Sequence, residues 1–144
     1  MKPGPLLLDT GGWLLALAGV PDFADALAGS ARAIVPGLVL AEIDWHLRSR
    51  RRDMHLLLND LRAGAYVYEP PTTADLSRAV EIDRKFLRTG LGLVDASVAA
   101  LAERLGVHRI LTTDSDFVAV RIGSRWDRAL ELAAPLPVRP GREK

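Results

Sequence analysis

One stretch constrains the fold more than any other: residues 93–117, LVDASVAALAERLGVHRILTTDSDF. The spacing predicts a helix that stops at Gly106, then a short β-branched strand, then a polar turn holding two carboxylates. A helix leading straight into a buried strand is a repeating unit of α/β folds, whose helices cover a mainly parallel sheet. After Asp95 the positions i+4, i+7 and i+11 are Ala99, Ala102 and Gly106. That stripe of small residues lets the helix lie close to the sheet, while Val94, Val98, Leu101 and Leu105 pack one step round it. Carboxylates at the ends of buried elements are costly unless something pairs with them. Asp95, Asp114 and Asp116 therefore need an explanation.

The rest of the chain repeats the alternation. Leu6, Leu7 and Leu8 read as a strand covered on both faces, ended by Asp9, Thr10, Gly11 and Gly12. Helices are expected over 13–18 and 21–28, the second with Asp22 as N-cap, and a second strand over 33–35, stopped by Pro36 and Gly37. A helix from 38 to about 49 places Val39, Leu40, Ile43 and Leu47 on one side, with Glu42 inside the apolar run. A helix over 53–63 ends at Gly64, and a strand over 65–69 is closed by Pro70 and Pro71. Thr72 or Thr73 caps the next helix, with an apolar stripe of Leu76, Ala79, Val80, Phe86 and Leu87 that Asp83 interrupts. Residues 89–92 form a loop, 117–122 continue as a helical turn, and 129–133 supply a last edge strand. One domain over 1–134 with a frayed tail over 135–144 is the expected organisation.

With 144 residues and no cysteine, disulfide frameworks, thiolate zinc sites and thiol enzymes are excluded. The opening MKPGPLLLDT is too short for a signal-peptide core, and no run approaches membrane-spanning length, so a cytoplasmic, non-membrane protein is expected. The net charge of +1 does not by itself announce a polyanion partner, but nearly all of the 19 basic residues are arginine. They cluster at Arg48, Arg50, Arg51 and Arg52, at Arg84, Lys85 and Arg88, and at Arg121, Arg125 and Arg128. Each cluster is first of all solvated surface; as bidentate phosphate binders the first is the best candidate.

In open α/β sheets, functional groups gather outside the C-terminal ends of the strands. Asp9 follows the first strand and Asp114 the fourth; Asp95 opens the helix leading into that fourth strand, and Glu42 is hard to explain as surface. Singly, the simplest role for each aspartate is a helix cap. Together, with no basic partner beside them, four acids favour a shared cation, because like charges a few ångströms apart do not all stay ionised without one. An all-oxygen set points to Mg²⁺ or Mn²⁺ rather than zinc, and hence to phosphoryl chemistry with an acidified water. Asp116 is a fifth candidate ligand. Thr10, Thr112 and Thr113 are placed to orient carboxylates or water. No HExxH pattern exists, and His46 is expected on a helix surface. Asp83 is either support for the site or an ion-paired core residue, with Arg62 as a partner.

The order Asp9-Thr10 after a strand, Glu42 in a helix after Pro36, Asp95-Ala96 opening a helix, and TTDSDF at 112–117 resembles the PIN-domain ribonucleases, in particular VapC-type toxins. The resemblance spans residues 6 to about 133. It implies a PIN-like three-layer fold with a mainly parallel five-stranded sheet in the order 3-2-1-4-5, which sets the first and fourth strands side by side. It also implies that Asp9, Glu42, Asp95 and Asp114 bind Mg²⁺ or Mn²⁺, with Asp116 a further member. The activity implied is hydrolysis of RNA phosphodiesters, by a homodimer that a cognate antitoxin protein occludes. Arg48, Arg50, Arg51 and Arg52 would then meet RNA phosphates. One departure is Gly11-Gly12-Trp13, where many relatives carry a serine. Trp13 could stack on a base or pack at the dimer contact, and packing is the simpler role.

Other acid-bearing folds fit less well. A HAD phosphatase needs a second Asp where Gly11 stands. A receiver domain needs its Asp after the third strand, which ends at Glu69, and a later Lys, whereas none follows Lys85 until Lys144. A Toprim site wants Glu at the place of Asp9. A non-catalytic module binding RNA or protein, with its acids as caps and surface charges, stays open.

Overall fold

Three consecutive leucines, Leu6–Leu8 (β1), are completely buried. A strand that shows no alternation of exposure is covered on both faces, and β1 is the central strand of a parallel sheet. The computed structural model describes residues 4–137. The other strands are β2 (Ala33–Pro36), β3 (Val67–Glu69), β4 (Arg109–Leu111), β5 (Arg121–Ile122), β6 (Arg128–Ala129) and β7 (Glu131–Leu132). The five-stranded sheet runs β3-β2-β1-β4-β7 with every neighbour parallel. This is the expected 3-2-1-4-5 order, with the small antiparallel hairpin β5-β6 set into the chain before the fifth strand.

Among the described residues seven α-helices connect the strands: α1 (Thr10–Leu17), α2 (Pro21–Gly29), α3 (Gly37–His46), α4 (Arg51–Ala63), α5 (Thr73–Lys85), α6 (Gly92–Leu105) and α7 (Asp116–Ala119). The core is continuous from the β1 leucines through Ile34, Val35 and Ile110 to the sheet-facing side of α6. Of the predicted small-residue stripe, Ala99 and Ala102 of α6 are wholly buried, as is Ala96 beside it, whereas Gly106, past the helix end, is exposed.

Several local expectations are corrected. Val20 occupies the N-cap of α2 and Pro21 its first position, so Asp22 sits in the first turn, meeting the positive end of the helix rather than capping it. Helix α3 ends at His46, short of residue 49, and β3 starts at Val67 rather than Ala65. Residues 121–122 are strand, not helical turn, because Arg121 and Ile122 pair with Ala129 and Arg128. The expected edge strand over 129–133 accordingly divides: Ala129 belongs to the hairpin, and β7 is Glu131–Leu132. Residues 138–144 of the expected tail lie outside the described residues.

On α5 the stripe is rotated. Its buried residues are Asp75, Ala79 and Ile82, while Leu76, Val80 and Leu87 are exposed. The cause is ionic. Arg104 of α6 donates from Nε to both oxygens of Asp75 at 3.0 Å, and Arg78 forks onto Glu103 at 3.0–3.3 Å. These pairs join α5 to α6 on the side where Ala79 and Ile82 enter the core, and Asp75 also completes a capping box with Thr72. Asp83 does not pair with Arg62. Its Oδ1 accepts the Gly92 N–H at 3.1 Å, holding the first residue of α6 after a loop in which Gly90 and Gly92 take left-handed φ values of 69° and 81°. Trp13 is buried and donates from Nε1 to the Tyr66 hydroxyl at 3.2 Å, so its role is packing.

Candidate active site

The C-terminal ends of β1 and β4 are tied together before any side chain is considered. The Asp9 N–H donates to the Leu111 carbonyl at 3.0 Å, and the Asp9 carbonyl accepts the Trp13 N–H at 3.0 Å, opening α1. Asp9 therefore holds the N-cap position, but its side chain makes no cap bond. Instead Oδ2 accepts the Thr112 hydroxyl at 2.7 Å. The same hydroxyl oxygen accepts the Asp114 N–H at 3.0 Å, so one threonine fixes both strand-end aspartates. Asp114 Oδ1 accepts the Asp116 N–H at 2.9 Å, a local turn that starts α7. Thr10 donates from Oγ1 to Glu42 Oε1 at 2.7 Å, joining α1 to α3.

Asp9, Glu42, Asp95 and Asp114 line one cavity of about 540 Å³, and Thr10 and Thr113 line it with them. Four segments widely separated in sequence thus deliver one carboxylate each. Asp116 is not among the lining residues, nor are Arg48, Arg50, Arg51 and Arg52. Two of those arginines are engaged elsewhere: Arg50 pairs with Asp53 at 2.6 Å and Arg51 with Asp44 at 2.8 Å. A second cavity of about 440 Å³ opens at the other end of the strands, beside His108, Arg109 and Arg128, and lacks a carboxylate cluster.

Two features of the site escape a residue-type reading. His46 lines the cavity one helical turn beyond Glu42; the i+4 spacing was the available signal. Gly11 and Gly12, noted only as a departure from the family pattern, are where α1 meets the end of β4. A methyl group built on Gly12 would overlap the Leu111 carbonyl and stand 2.8 Å from the Thr112 nitrogen. A pair of glycines directly after a strand-end aspartate is the signal that could have been used.

The electrostatics follow from the crowding. Burial raises the pKa of Asp9 above its ordinary value, opposed by the hydrogen bonds from Thr112 and from the Thr10 backbone, with Glu42 and Asp114 adding to the rise. Asp95 is pushed up to about 8, chiefly by burial, then by the charge of Asp9 and by the hydrogen bond and charge of Asp114. With no cation, Asp95 holds a proton at neutral pH. A sign follows for stability. Between the ordinary value of 3.8 and about 8 the folded chain keeps a proton that the unfolded chain has released. Stability therefore falls as pH rises through that window. In chelator, Tm measured by calorimetry is expected to drop steadily from pH 5 to pH 8, and Mg²⁺ added at pH 8 is expected to restore it; a flat profile would overturn the shift.

The donor set suits a hard cation. It is all oxygen, it is crowded enough to retain a proton, and two of its members are already held by threonine hydroxyls. Among the described residues, no group of three or more histidine or acidic side chains is placed to hold a metal ion without rearrangement or water. Mg²⁺ does not require one, since it keeps several waters and takes one or two carboxylates.

Comparison with known proteins bears on the fold and the family. The crystal structure of VapC20 from Mycobacterium tuberculosis, described as a sarcin–ricin loop cleaving toxin, is similar with a TM-score of 0.64 and 23% identity, covering 79% of this chain and 93% of that one. The crystal structure of PAE2754 from Pyrobaculum aerophilum is similar with a TM-score of 0.54 and 17% identity, covering 92% of each chain. At these identities the likeness is one of fold. No curated protein matches the sequence. The sequence model of the PIN domain matches residues 6–123. That span contains β1 to β4 and all four cavity carboxylates, and the chain belongs to the PIN-domain family.

Proposed function

We propose that this chain is an endoribonuclease that depends on Mg²⁺ or Mn²⁺ and serves as the toxin of a type II toxin–antitoxin pair. The observation that carries the reading is the convergence of Asp9, Glu42, Asp95 and Asp114 on one cavity at the strand ends. Membership of the PIN-domain family and the fold shared with VapC20 support it. A divalent cation bound there supplies Lewis acidity for an attacking water and for the scissile phosphate. The residues of the chain do the rest. Thr112 holds Asp9, which also accepts from the Thr10 backbone, and Thr10 holds Glu42. Asp95, which shares a hydrogen bond with Asp114, is the carboxyl that holds the proton and would release it where a cation is held. Asp116 contributes its backbone to the turn and is the weakest candidate ligand. The partners of this reading are an RNA substrate, a second copy of the chain and an antitoxin protein that covers the cavity. No described helix is long and apolar enough to cross a membrane.

The test is cleavage of RNA by the purified chain. Strand scission is expected with Mg²⁺ or Mn²⁺, is expected to stop in chelator, and is expected to return when the metal is resupplied. Scission that ignores the chelator would overturn the metal mechanism. Binding without scission under any metal would instead favour a non-catalytic module.

A further inference from the structure

Trp45 is 60% exposed at the end of α3, whereas Trp13 is buried and Trp126 lies beneath the Arg78 guanidinium. An exposed tryptophan is not unusual in itself, but this one is held in place. The Arg48 guanidinium lies 3.7 Å from its ring centroid and donates from Nη1 to the Trp45 carbonyl at 2.8 Å. The His46 ring meets it edge-on, with centroids 5.4 Å apart and planes at 87°. His46 in turn lines the carboxylate cavity. Arg48 lies over the ring and His46 packs against it, yet 60% of Trp45 stays exposed, beside a residue that lines the site. We propose that Trp45, backed by Arg48, is a stacking platform that seats an unpaired nucleobase of the RNA beside the carboxylates. This inference rests on the nuclease reading of that site.

The chemistry selects the ligand. Every base has a π-face that can stack on an indole, and a cation on the opposite face adds attraction. Base faces are hidden inside an RNA duplex, so the platform accepts only a single-stranded or looped nucleotide. The arginines near it divide accordingly. Arg50 and Arg51 are paired with Asp53 and Asp44, while exposed Arg52 has no ion-pair partner among the described residues and is available to phosphate. The platform supplies base stacking, and Arg52 supplies charge.

The test uses the full chain made inactive by Asp95→Asn, titrated in Mg²⁺ with an end-labelled single-stranded oligoribonucleotide and with the same strand in duplex. The single strand is expected to quench tryptophan fluorescence. Added to this background, Trp45→Ala is expected to weaken single-strand binding about ten-fold, Trp45→Phe to retain most of it, and duplex affinity to stay unchanged. The salt slope should be unaltered by Trp45→Ala but lowered by roughly one by Arg52→Gln. Unchanged single-strand affinity in Trp45→Ala, or an equal loss for the duplex, would overturn the platform. If Trp45→Ala keeps RNA affinity but sediments as a smaller species, Trp45 is a protein contact and the platform is wrong. If the wild-type chain cuts RNA while Trp45→Ala binds it normally, the platform alone falls. If the wild-type chain neither binds nor cuts RNA, the nuclease reading falls with it.

Discussion

Replacing Asp95 with asparagine is expected to reduce RNA cleavage by about a thousand-fold or more, the scale of losing a charge-handling group at a reacting phosphate, while the chain stays folded. Asp95 sits in the first turn of α6 without capping it, so the helix does not need the carboxylate. Its surroundings are Asp9, Asp114 and Glu42, all of the same sign, and Asn removes one charge from that conflict with little change of shape. The variant should therefore be at least as stable as the wild-type chain at pH 8 in chelator, and its Tm should lose the downward slope between pH 5 and pH 8. Cleavage assays on purified protein, with Tm in parallel, check both parts. Wild-type cleavage by the variant would remove Asp95 from the mechanism. Lost cleavage accompanied by a collapsed Tm would mean that the carboxylate is structural.

A second large effect is expected far from any charge. Gly12→Ala should destabilise the chain by about 3 kcal/mol or more, lowering Tm by roughly 10 °C. The added methyl group meets the carbonyl of Leu111 and the nitrogen of Thr112, and this backbone cannot swing aside because β4 is hydrogen-bonded between β1 and β7. Relief would require α1 to move off the strand end, which would pull Thr10 from Glu42 and Asp9 from Thr112. Gly11→Ala is the control. Its methyl group meets the Thr113 hydroxyl, a side chain able to rotate, so the cost should stay below about 1.5 kcal/mol. Equal stability losses in the two variants, measured by denaturant unfolding, would refute the distinction between backbone and side-chain contact.

The helices and the buried strands were legible because each is written in local periodicity. The Leu6–Leu8 run, the small-residue stripe after Asp95 and the glycine at the end of α4 all carry their meaning within one or two turns of chain. The β5-β6 hairpin was not legible, because Arg121 and Ile122 are strand only by virtue of Ala129 and Arg128 opposite them. The rotation of α5 was missed for a similar reason. Leu76 and Val80 look like a core stripe on a lone helix, and it takes Arg104 on α6 to turn Asp75 inward instead.

At the site, the three aspartates could be nominated from their position at element ends and Glu42 from its place inside an apolar helical run, and the structure places all four on one cavity. Asp116 could be nominated on the same grounds, yet it is not among the cavity-lining residues; its N–H donates to Asp114 in the turn that starts α7. Residue type in sequence order determined the fold class, the small-residue face of α6 and which carboxylates to watch, since those depend on local spacing and on the cost of burying charge. Tertiary structure alone decided that one threonine hydroxyl ties Asp9 to Asp114, that Asp83 anchors α6 rather than pairing with Arg62, and that Trp45 stands at the cavity rim through His46. The Asp9–Thr112 bond joins residues 103 apart, and that bond, the Asp83–Gly92 contact and the placing of α3 beside the cavity are set by strand register and helix packing, which no local pattern encodes.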